Sequence, residues 1–217
     1  RLKNPKFFLG DIINCPIESK SFGRIATQNA KNVILQKIRE EERSMQFNEW
    51  YQKEKDVVTG IVQRVMGKNV SINLGKADAV LTENEQVKGE TFQPTERVKV
   101  YILEVKDTPK GPRILVSRTH PGLVKRLFES EVAEVRDGTV EIKSIAREAG
   151  SRTKIAVWSN DPDVDAVGAC VGMNGARVGA VVNELHGEKI DIINWDENPA
   201  ILIENALSPA KVIAVMA

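Results

Sequence analysis

The 217-residue sequence predicts a multidomain chain: a long N-terminal helix, a five-stranded all-β barrel, and an α+β domain with helices on one face of a sheet. Three observations carry this. Apolar residues recur at helical spacing between Phe22 and Ile38. Short strand-like runs separated by glycine turns fill residues 57–117. A Gly172-Met173-Asn174-Gly175 turn then sits between two short apolar helical patterns, with strand-like runs on both sides.

Composition bounds the rest. Hydrophobic content of 41% suffices for packed cores, and no run approaches the ~18 apolar residues of a membrane span. The two cysteines, Cys15 and Cys170, are far apart. They fit free thiols in a reducing cytoplasm, not a disulfide scaffold or a metal site. The start, Arg1-Leu2-Lys3-Asn4-Pro5, has no initiator Met and no signal-peptide pattern, and reads as a fragment beginning inside a longer protein. The net charge of +1 hides a split. Residues 55–118 carry 11 Lys+Arg against 8 Asp+Glu, whereas residues 119–198 carry 9 against 14. Long-range attraction therefore cannot be what brings a polyanion to the last domain; a local groove must do it.

Residues 1–54 form the first segment, irregular to strand-like up to residue 20. A helix then runs from Ser21, a good N-cap, towards Gln52. Phe22, Ile25, Ala26, Val33, Ile34 and Ile38 make its apolar stripe. The run Arg39-Glu40-Glu41-Glu42-Arg43 is a solvated connector. Met45, Phe47, Trp50 and Tyr51 resume an apolar face that packs on the barrel or on an outside partner.

Residues 55–118 hold strands at 57–65, 69–74, 77–82, 97–105 and 113–117. Turn signals lie between them at Gly67-Lys68, Gly75-Lys76, Lys88-Gly89 and Lys110-Gly111-Pro112. Five short strands at this spacing suggest an OB-fold, which commonly binds oligonucleotides on one face. Residues 58–118, closing on Arg113-Ile114-Leu115-Val116-Ser117-Arg118, resemble an S1-type RNA-binding domain.

Residues 119–198 read helix (122–128), strand (139–146), strand (154–158), helix (164–170), Gly-x-x-Gly, helix (177–185), strand (189–193). Two glycines let a backbone come close, and a following helix start offers free N–H groups to an anion. A helix–GXXG–helix unit of this kind clamps a nucleic-acid backbone in KH modules. The element order is that of a type II KH domain. Residues 199–217 read as a linker helix at 199–207, a Ser208-Pro209 break, and a strand-like Val212-Ile213-Ala214-Val215 opening a second KH domain.

The stretch from Asp165 to Val178, the run Gly187-Glu188-Lys189-Ile190-Asp191-Ile192-Ile193-Asn194-Trp195, and Ser21-Phe22-Gly23-Arg24-Ile25-Ala26 together resemble the NusA family of bacterial transcription factors along essentially the whole chain. The resemblance implies an elongation, termination and antitermination factor. Its N-terminal domain would bind RNA polymerase, and its S1 and KH domains would bind nascent single-stranded RNA. Other antitermination factors would be partners, and the protein would be a cytoplasmic monomer with no membrane partner and no cofactor. Two departures stand out. The KH loop carries Met173 and Asn174 where many such loops carry a basic residue. Tyr101 is the only aromatic on a barrel strand, so the stacking platforms worth about 1–3 kcal/mol per base are missing there.

The expected RNA contacts are Gly172, Met173, Asn174, Gly175 and Arg177 in the loop, Arg147, Arg152 and Lys154 around the Gly150-Ser151 turn, and Arg64, Lys68, Arg113 and Arg118 on the barrel. For Arg147, Arg152 and Lys154, structural ion pairing weighs equally. Trp158 and Trp195 read as packing anchors, and Ile190, Ile192 and Val178 as core that can floor a groove. Catalysis finds little support: His120 and His186 sit at element ends, and no nucleophile–base set, metal-ligand cluster or phosphate-binding Lys-Ser/Thr loop occurs. Asp161, Asp163 and Asp165 are explained by the helix start after Pro162. The alternatives are an RNA-binding cap subunit of an RNA-processing or degradation complex, and a KH fold that binds protein instead of RNA.

Overall fold

The computed structural model describes residues 23–109 and 111–215, and separates after Glu42 into two compact units. Ser21, Phe22 and the first twenty residues lie outside the described part. From Gly23 the first unit is helical, within α1 (Arg24–Tyr51). Its apolar stripe lies on the surface: Ile25, Val33, Ile34 and Ile38 are all exposed. Among the described residues no helix is long and apolar enough to cross a membrane.

The second unit begins with the last turns of α1. Trp50 is buried in the barrel core and Phe47 packs beside it, one helical turn earlier. Met45 stays exposed, and Tyr51, also exposed, stacks its ring on Phe47 at 5.7 Å from the outer edge of the same face. The barrel is closed in the order β1 (Val57–Met66), β2 (Asn69–Asn73), β3 (Asp78–Leu81), β5 (Arg113–Ser117), β4 (Arg97–Lys106). Only the β3–β5 pair is parallel, and it closes the cylinder. Alternation dictates what is inside: Val62, Val70, Ile72, Ala79, Leu81, Val98, Val100, Ile102, Ile114 and Val116 fill the interior. Bulges between Val62 and Arg64 and between Ile102 and Glu104 bend β1 and β4 around it.

The α+β part packs α2 (Pro121–Glu131), α3 (Ala133–Arg136), α4 (Ala166–Val171) and α5 (Ala176–Glu184) on one sheet. The strands are β6 (Val140–Glu148), β7 (Arg152–Ser159) and β8 (Lys189–Asn194), in that order. β6 and β7 are antiparallel, and β7 and β8 parallel. His120 caps α2, its Nδ1 accepting from the Gly122 N–H at 3.0 Å, and Pro121 follows at the first helical position. Asp165 caps α4, while the Asp161 carboxylate accepts from the Asp163 N–H. Beyond β8, α6 (Pro199–Leu207) lies against that strand. Residues 212–215 are not in a strand, which corrects the expected strand at that position. An isolated alternating run with no neighbouring strand to pair with has no ladder to join.

Barrel and α+β domain share one core. Tyr101 on β4, with Val57 and Leu103, packs among Leu123, Val124, Leu127, Phe128, Ile155, Val157, Cys170, Val181 and Leu185. The Tyr101 ring also stacks on His120 at 4.7 Å. Gly122 lets α2 sit this close, since a Cβ there would lie 2.6 Å from the Tyr101 ring.

Candidate nucleic-acid interface

The turn between α4 and α5 is built from unusual backbone. Gly172 has φ 73°, ψ 173°, Asn174 φ 53°, ψ 27°, and Gly175 φ 75°, ψ 17°. The first of these conformations is nearly exclusive to glycine. The left-handed region at Asn174 suits Asn better than most side chains. The Gly175 N–H closes the turn on the Gly172 carbonyl at 3.1 Å. Met173 is 87% exposed, so the loop projects a neutral, unencumbered tip. α5 starts immediately after, aiming its N-terminal amides and positive dipole end at the turn. Val178, Ile190 and Ile192 are half-buried, packed against the core.

The nominated basic residues fall into three groups. Arg118 and Arg147 are corrections: neither offers surface to a ligand. Arg118 is completely buried. It grips both Glu90 oxygens, the Lys99 carbonyl at 2.8 Å and the Glu184 carbonyl at 3.1 Å. Arg147 makes a bidentate pair with Glu188 at 2.9 Å and donates to the His120 carbonyl at 2.9 Å, with 1% of its side chain exposed. Both therefore tie the barrel edge and the linker to the α+β domain. Burial pushes the Glu188 carboxyl up, but hydrogen bonds from Arg147, Thr153 and the Gly150 N–H outweigh it and hold it below the usual range.

Arg152, Lys154, Lys68 and Arg177 are already paired. Arg152 is bidentate on Asp191 (2.6 and 3.0 Å), and Lys154 reaches Asp191 at 3.3 Å and the Ala206 carbonyl at 2.6 Å. Between structural pairing and RNA contact, the first describes the Arg152–Lys154 cluster as it stands. Lys68 pairs with Glu83 at 2.8 Å yet stays exposed. Arg177 donates from Nη1 to the Ala169 carbonyl (2.7 Å) and to Glu134 (2.9 Å).

Arg64 and Arg113 form the third group. Both are exposed and make no ion pair among the described residues. Arg97, which sequence reasoning passed over, is in the same position opposite Ile61. On the outside of β1–β3, Asp78 accepts from Gln63 (3.2 Å) and Asn73 (3.1 Å), and Ser71 joins through Gln63. That face is polar and carries no aromatic ring, while Tyr101 is buried. Trp158 and Trp195 meet edge to face at 5.8 Å, and Trp158 is still 44% exposed, more open than a packing anchor.

A five-stranded OB-type barrel joined to a GXXG-bearing α+β fold defines the class: a tandem nucleic-acid-binding protein of S1–KH type. Three domain families match along the chain: the NusA N-terminal domain over residues 1–44, the S1 RNA binding domain over 51–117, and the NusA-like first KH domain over 118–195. The transcription termination/antitermination protein NusA of Bacillus subtilis (strain 168) is 54% identical over 213 residues, 98% of this chain and 57% of that protein. The protein of that name from Thermus thermophilus is 44% identical over 96% of this chain and 54% of its own length. That from Rickettsia conorii is 40% identical over 96% and 41%. The chain belongs to the NusA family, and it spans little more than half the length of the Bacillus relative.

Proposed function

We propose that this chain is the RNA-binding part of a transcription elongation, termination and antitermination factor, acting in the cytoplasm as a monomer on RNA polymerase and nascent single-stranded RNA. The observation that carries the proposal is the exposed Gly172–Gly175 turn, with left-handed backbone at Asn174 and Gly175 and a helix start behind it. Such a turn recognises a sugar–phosphate backbone through amides and close approach, with no charge of its own. Arg64, Arg113 and Lys68 on the barrel are the surface cations that would add to it. The exposed Ile25–Ile38 stripe suits a docking face for polymerase or for the rest of the N-terminal domain. The domain limits proposed are 55–118 for the barrel and 119–198 for the KH domain. Other antitermination factors would join the same assembly. No residue is given a catalytic task.

The test is binding of a panel of short single-stranded RNAs to this chain, alongside Gly172→Asp/Gly175→Asp. Loss of binding in a double variant that keeps its melting transition supports the clamp. Unchanged affinity in that folded variant would falsify it. Pausing and termination assays with purified polymerase test the wider role.

A further inference from the structure

The position of Arg177 is at odds with the task its charge suggests. It follows the Gly-x-x-Gly turn at the second position of α5, where a phosphate-binding cation would point outwards. Instead its side chain folds back across the turn. Its stem lies over Gly172, where a Cβ would come within 2.8 Å of Arg177 Cγ and 3.0 Å of Cδ. Nη1 then donates to the carbonyl of Ala169, near the end of α4, and to Glu134 on α3. With the helix broken at Gly172, that carbonyl loses its regular partner four residues on, and a cation at a helix C-terminus is favourable. One side chain thus joins the two helices that the turn separates, and Glu134 anchors it from outside.

We propose that Arg177 is a positioning residue of the RNA loop: held by Glu134, it clasps the end of α4 to the start of α5 and fixes Gly172–Gly175 in its receptive conformation. The first glycine then serves the clasp as well as the ligand, because only a residue without Cβ lets the Arg177 stem pass. The proposal rests on the RNA-binding reading for its functional consequence, but its geometry is testable without RNA.

The discriminating variant is Glu134→Gln. It removes a negative charge near the loop, so simple electrostatics predicts tighter RNA binding. The clasp predicts binding weaker by about 3- to 10-fold, the factor that one net hydrogen bond is worth. The log–log salt slope should stay unchanged, because no phosphate contact is lost. Arg177→Lys, which keeps the charge but not the reach to both acceptors, should weaken binding similarly. Amide hydrogen exchange at Gly172 and Gly175, read by NMR on the free chain, should accelerate in both variants while the melting temperature is held. Glu134→Gln binding as well as or better than the native chain overturns the proposal. So does Arg177→Gln lowering the salt slope by about 1, the signature of a lost phosphate contact. If the native chain binds no RNA, the proposed function fails, and the exchange rates alone decide the clasp: unchanged rates overturn it.

Discussion

Arg118→Met converts the buried joint into a measurable quantity. Met retains much of the packing volume and removes the guanidinium. The Glu90 carboxylate, 4% exposed, would lose the cation that holds both its oxygens. The carbonyls of Lys99 and Glu184 would each lose a donor. Removing one partner of a buried ion pair costs about 3–5 kcal/mol. His186 Nδ1, 3.1 Å from Glu90, remains as a partial partner and places the expectation near the lower end, about 3 kcal/mol. Urea unfolding at neutral pH reads the loss directly. Adding Glu90→Gln should return part of it, since a buried pair replaced on both sides is often close to neutral. A loss below about 1 kcal/mol, the value of an exposed pair, would refute the argument. So would a native-like midpoint combined with an RNA salt slope lower by about 1, because Arg118 would then be a phosphate contact.

Glu188 sets a pH dependence. Its folded carboxyl is held below the ordinary value of 4.5, so the stability it contributes is present above that pH and lost as pH falls through the depressed value. Acid titration of Glu188→Gln should show a flatter stability profile below pH 4.5, starting from a lower plateau because Arg147 is left buried and unpaired. Asn174→Lys should raise RNA affinity by about 3- to 10-fold and steepen the salt slope by about 1. Its cost in folding stability should be about 1 kcal/mol for a left-handed Lys, and an unchanged slope would mean that the loop tip does not meet phosphate. Trp50→Ala should destabilise the barrel by about 3–5 kcal/mol in urea titration, whereas Met45→Ala, at an exposed position of α1, should stay within about 0.5 kcal/mol; equal effects would contradict the assigned helix face.

The barrel strands and the Gly-x-x-Gly turn were legible because their signals are local. Alternation marks β1, β4 and β5, and glycines mark the turns where φ turns positive, as at Gly67, Gly75 and Gly172. The side on which a charge ends up was not legible. Arg118 closes the most specific stretch of the barrel sequence, yet its partner Glu90 lies 28 residues away. Arg147 meets Glu188 across 41 residues. Sequence supplies the charge, and only the packed fold reveals that it is desolvated. Arg177 shows a related limit: it lies in the first turn of α5 as expected, but only the packed fold shows its side chain running backwards over Gly172. On α1, helical spacing grouped Met45, Phe47, Trp50 and Tyr51, and the rotation of the helix on the barrel decided that Phe47 and Trp50 face inwards.

The shared core around Tyr101, closed by Arg118 at the far end of α5, has a bearing on avidity. A flexible tether would let barrel and loop find any two stretches of a strand. Here barrel and loop are held at one separation, so on the proposed RNA-binding reading no linker entropy would be lost when the second engaged. The two grips would then behave as a caliper: an RNA whose contact points matched the fixed gap would gain the full multiplicative affinity, and one whose spacing differed would be held by one jaw alone.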